Sequence, residues 1–143
     1  MTPETFDWIE QQKPRLVRWA EDFVDTTKLY RATRKTASKD PGWRTPEVRA
    51  NQLRNLLSAA QSGSPLAVLV NFLRYQIGRQ NQGWAHRESG KELDALLTEK
   101  LGKLIPERLA EHRYQLEAHL AAQLLGFIIR HYTYQCSLAG TRS

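Results

Sequence analysis

Apolar residues recur along most of this chain at intervals of three and four, the spacing of a helix that buries one face. Between residues 45 and 79, Leu53, Leu56, Leu57 and Ala60 form one such stripe, and Leu66, Leu69, Val70, Leu73 and Ile77 form a second. Thr45-Pro46 supplies a capping hydroxyl and then a proline suited to a first helical turn, and Ser64-Pro65 repeats the pattern. Ser62 to Pro65 interrupt the periodicity between the stripes, which predicts two helices in an antiparallel hairpin with a tight turn. Its outward faces carry Asn51, Arg54 and Ser58 on the first helix and Asn71, Tyr75, Gly78 and Arg79 on the second.

The flanking sequence reads the same way. A short segment around Phe6, Trp8 and Ile9 precedes a helix expected to begin at Pro14, with Leu16, Trp19, Ala20, Phe23, Thr27 and Tyr30 as its stripe. Two polar loops follow, TASKDPGWRT after Lys35 and NQGWAHRES after Arg79. Ser89 with Glu92 is a capping-box pattern ahead of Leu93, Leu96, Leu97, Leu101 and Leu104, and Pro106 ends that element. The last helix is expected over about Glu107 to Ser137, with Leu109, Leu116, Leu120, Leu124, Phe127 and Ile128 along one side. No stretch shows strand alternation. The pattern therefore predicts an all-α protein, a compact bundle of five to six helices forming one domain over residues 1–143.

Composition narrows the function more by exclusion than by assignment. The longest apolar run, Leu120 to Ile129, is interrupted by Gln123 and falls short of the roughly 20 residues that span a bilayer. Glu4, Asp7 and Glu10 in the first ten residues do not fit a signal peptide, and the single cysteine, Cys136, allows no internal disulfide, so a reducing cytoplasm is the expected compartment. His112 and His119 stand seven apart on one helix without an HExxH motif or a cysteine to complete a metal site. The glycines form neither a phosphate-binding loop nor a dinucleotide fingerprint, and Cys136 reads as a small apolar packing residue. Neither an enzyme nor a cofactor is expected.

Charge changes the picture. The formal net charge is +6, yet residues 28–87 hold 11 Lys or Arg against two acids, Asp40 and Glu47, while the two flanks are acidic or neutral. Such a concentrated excess suits a polyanion, although a merely solvated face would look similar. Arg34, Lys35, Arg49, Arg54, Arg74, Arg79 and Arg87 are interleaved with Trp43, Tyr75 and Trp84. Guanidinium groups fork onto phosphates and flat aromatic rings stack on unpaired bases, which favours RNA or single strands. Tyr75 could equally pack against a neighbouring helix, Trp43 and Trp84 could plug their loops, and Arg49 could lay its stem over the core.

The strings ANQLRNLL and LVNFLRYQIGR resemble the small helical-bundle subunit of type III CRISPR RNA-guided effector complexes, particularly its type III-A form. Gln52, Leu53 and Arg54 fall on one element of that family, and Leu73, Tyr75 and Arg79 on another, with Ala50-Asn51 where Thr-Ser is the pattern. The resemblance implies a non-catalytic subunit that stacks with further copies of itself beside the backbone and large subunits, and that contacts guide RNA and target RNA through basic side chains. Gln52, Arg54 and Arg79 are the positions it carries over. Two other readings stand beside it: a DNA-binding regulator using the 46–79 hairpin as a helix-turn-helix, and an assembly adaptor docking through Trp43 and Trp84.

Overall fold

The computed structural model describes residues 2–32, 45–79, 84 and 88–142. Five α-helices account for most of them: α1 (Pro3–Thr27), α2 (Ala50–Gln61), α3 (Leu66–Gly78), α4 (Ser89–Ala95) and α5 (Arg113–Ala139). A π-helical turn, Leu96–Lys100, and a 3-10 turn, Leu101–Lys103, extend α4, and a second 3-10 segment, Glu107–His112, leads into α5. No β-strand occurs among the described residues. The all-α bundle expected from the periodicity is what forms.

The helices alternate in direction, as three sets of cross-links show. Asp25 of α1 meets His131 of α5 at 2.8 Å and Tyr30 meets Thr141 at 2.7 Å, while Glu4 meets Arg108 at the opposite end, so α1 and α5 run parallel. The Leu66 amide meets Glu117 and the Val48 carbonyl meets Tyr132, which sets α2 antiparallel to α5. Arg74 meets Asp94, Ile77 lies beside Gly90, and Leu66 lies beside Gly102, which sets α4 and its extension antiparallel to α3. Around the bundle the order is α1, α5, α2, α3, α4 and back to α1, each packed on the next. α5 is the longest element and packs against both α1 and α2. Leu116, Leu120, Leu124 and Ile128 of α5 are fully buried, together with Leu53 and Leu56 of α2, Leu69 and Leu73 of α3, and Leu93, Leu97 and Leu101 of the α4 segment.

Several boundaries differ from the pattern-based expectation. α1 starts at Pro3 rather than Pro14, because Thr2 caps it by accepting from the Thr5 amide at 3.2 Å and Pro3 occupies the first helical position. Pro14 then lies within the helix on its exposed side, and the buried Trp8, Ile9, Gln12 and Leu16 hold the helix on either side of it. α2 begins four residues after Pro46: Thr45–Arg49 run non-helically, with the amides of Glu47 and Val48 bonded to the carbonyls of Arg31 and Leu29. α3 is capped from across the molecule rather than by Ser64, since Glu117 accepts from the Leu66 amide at 3.3 Å. Ser89 is fully buried and inside α4; the preceding residue, Glu88, takes the left-handed conformation at φ +60.

Candidate nucleic-acid interface

The hairpin of α2 and α3 delivers its chemistry to one end of the bundle. α2 starts and α3 finishes at that end, so Arg49 and Arg54 near the start of α2 share it with Tyr75 and Arg79 near the end of α3. The local sequence explains their exposure. In α2 the buried residues are Ala50, Gln52, Leu53, Leu56 and Ala60, which leaves Arg54 on the solvent side with Asn51, Asn55 and Ser58. In α3 the buried stripe Leu66, Leu69, Val70 and Leu73 leaves Asn71, Tyr75, Gly78 and Arg79 outward.

Arg49, Arg54 and Arg79 are exposed, and none of them forms an ion pair with an acid among the described residues. Tyr75 is 59% exposed, and the Arg79 guanidinium stands 5.7 Å from its ring centroid. One ring face is engaged by the cation, and a planar, positively charged unit is presented to solvent. Such a unit can stack on a base and meet a phosphate together. Arg49 is exposed at the N-terminal boundary of α2.

Three candidates turn out differently. Gln52 is only 5% exposed: its Oε1 accepts from the Arg49 amide at 3.0 Å, so the side chain closes the first turn of α2 instead of facing a ligand. Arg74 is exposed but not a free cation, because its Nε and Nη2 donate to the two carboxylate oxygens of Asp94 at 2.6 and 3.1 Å. That forked hydrogen bond, with the Asp94 charge, raises the Arg74 pKa above its ordinary value. Trp84 is a plug: it is 1% exposed and its indole N–H donates to Gln76 Oε1 at 3.1 Å. Arg34, Lys35, Trp43 and Arg87 lie outside the described residues.

Cys136 is buried. His119 contacts Gln123 at 3.3 Å, and no group of His, Cys, Asp and Glu suited to a metal occurs among the described residues. None of the described helices is long and apolar enough to cross a membrane. The fold and this end of it define a helical bundle with an arginine-rich, partly aromatic surface. No protein-family model, curated protein or solved structure matches the chain.

Proposed function

We propose that this bundle is a non-catalytic, RNA-contacting subunit of a type III CRISPR-like effector ribonucleoprotein, gripping the sugar-phosphate backbone of guide and target RNA. The observation that carries the reading is the cationic end of the α2–α3 hairpin: Arg49, Arg54 and Arg79 exposed without carboxylate partners among the described residues, with Tyr75 beneath Arg79. The resemblance of ANQLRNLL and LVNFLRYQIGR to the small-subunit family supplies the particular machine. Phosphate contacts of this kind position a protein on RNA without reading its sequence. Backbone and large subunits and further copies of the chain are the partners that follow from this reading. The helix-turn-helix alternative fits less well, because the first exposed residues of α3, Ala67 and Val68, offer no side-chain donor or acceptor to a base edge.

The test is the salt dependence of RNA binding by the full chain and by its native complex. Each lost phosphate contact lowers the slope of log K against log salt by about 0.7, so Arg54→Ala with Arg79→Ala lowers it by about 1.4. Arg74→Ala, whose charge is already met by Asp94, changes it less. A slope unchanged in the double variant, with the fold intact by circular dichroism, overturns the assignment.

A further inference from the structure

On the seam opposite the hairpin, α1 and the α4 segment enclose a cleft of about 250 Å³. Trp19, Phe23 and Leu96 give it an apolar floor, and Asp22, Glu92 and Glu99 stand around it. These positions are dictated by helical spacing: Trp19, Asp22, Phe23 and Thr26 share one face of α1, and Glu92, Leu96 and Glu99 share the facing side of α4 and its π-helical turn. π-helical turns are rare and occur frequently at functional positions.

The electrostatics of this cleft are unusual for the chain that carries it. None of the three carboxylates is in an ion pair with a described residue, on a protein whose net charge is +6. All three are exposed, so solvent screens their mutual repulsion and leaves them available to a cation from outside. Among the described residues the one cation lining the cleft, Lys100, pairs with none of them: its Nζ stands 5.7 Å over the Trp19 ring. The aromatic floor thus already holds a cation of the protein's own, in the weak geometry of an exposed cation–π contact.

We infer that this cleft is a docking site for an arginine side chain presented by a protein partner, with Lys100 as the internal group that it displaces. A guanidinium is flat enough to lie on an indole while its edge forks onto carboxylates, which a lysine ammonium cannot do. The charge complementarity is opposite in sign to that of the hairpin end, so the two surfaces recruit different chemistry. This site stands independently of the RNA reading.

The experiment follows the Trp19 indole N–H resonance, assigned by its loss in Trp19→Phe, while the full chain is titrated with a blocked Gly-Arg-Gly peptide at low salt. A saturable shift is expected, with the citrulline analogue binding about tenfold more weakly because it keeps the shape and lacks the charge. Glu92→Gln with Glu99→Gln abolishes the shift, and Lys100→Ala tightens binding by removing the internal competitor. Arg54→Ala with Arg79→Ala leaves the titration unchanged, so failure here is separable from failure of the RNA interface. No shift with the arginine peptide, equal binding of the citrulline analogue, or weaker binding in Lys100→Ala overturns the proposal. Spermidine binding more tightly than the peptide also overturns it, in favour of a free polyamine.

Discussion

Glu117 is the single residue on which the placement of α3 can be tested. It is 8% exposed, and its Oε2 accepts from the amide of Leu66, 51 positions earlier in the chain. That amide is among the donors left over at the start of any helix, and Pro65 and Ser64 make no side-chain cap for it. A hydrogen bond from a backbone amide to a carboxylate contributes about 1.5 kcal/mol, towards the low end here because the distance is 3.3 Å. The negative charge at a helix N-terminus adds about 0.5 kcal/mol. Arg113, at 3.9 Å and one turn earlier in α5, adds about 0.3 kcal/mol. Glu117→Ala should therefore cost about 2 kcal/mol, which for a domain of this size lowers Tm by about 8 °C. Glu117→Gln keeps an acceptor and loses the charge, and should cost about half as much. Urea unfolding followed by far-UV circular dichroism measures both, with unchanged m-values confirming that the same folded state is compared. An alanine variant within about 0.5 kcal/mol of the parent refutes the cap, and equal costs for alanine and glutamine refute the contribution of charge.

Three further outcomes follow from the same contacts. Gly90→Ala destabilises by about 1 kcal/mol in urea unfolding although alanine favours helices, because its Cβ would stand 2.6 Å from Ile77 Cγ1 and 3.1 Å from Trp84 Cβ; a stabilised variant would show that the seam yields freely. Gln52→Ala costs about 1 kcal/mol by opening the first turn of α2 but leaves the RNA salt slope of the folded protein unchanged, whereas a lowered slope would return Gln52 to the interface. Arg49→Ser completes a Ser-x-x-Gln capping box with Gln52 and stabilises the fold by about 0.5–1 kcal/mol while lowering the RNA salt slope; destabilisation would show that Arg49 has a packing role.

What the sequence made legible was periodicity. The stripes of α2, α3, the α4 segment and α5 are the buried faces, and the outward grouping of Asn71, Tyr75, Gly78 and Arg79 follows from α3 alone. What it hid was satisfaction at a distance. Ser64-Pro65 and Ser89 have the composition of local caps, but α3 takes its cap from Glu117 and Ser89 is drawn into the core. Pro14 looked like a helix start because a proline usually is one; the Thr2-Pro3 pair was the better signal, and tertiary packing outweighed the lost hydrogen bond. Arg74 and Gln52 could not be separated from Arg54 by type or spacing. Their partners, Asp94 twenty residues on and the Arg49 amide three back, are what distinguish them.

Helix direction decides which of the remaining cations stability alone would explain. α1, α3 and α5 finish at the hairpin's cationic end, and a cation on the last turn of one of these helices meets the partial negative charge of its unbonded carbonyls, which is favourable whatever the function. Arg79, the residue that closes α3, is accounted for in part by that field and by its contact with Tyr75. Arg49 is not. It stands at the N-terminal boundary of α2, where the amides carry partial positive charge, with no acid in the first turn to offset it and no side-chain cap. A serine or aspartate there would stabilise the helix, so capping does not explain the arginine. A phosphate would: set against Arg49, it would meet the guanidinium while drawing on the same helix N-terminus that an unliganded arginine opposes. The cation least favourable to the isolated fold is therefore the one whose presence argues most for a polyanion at this end.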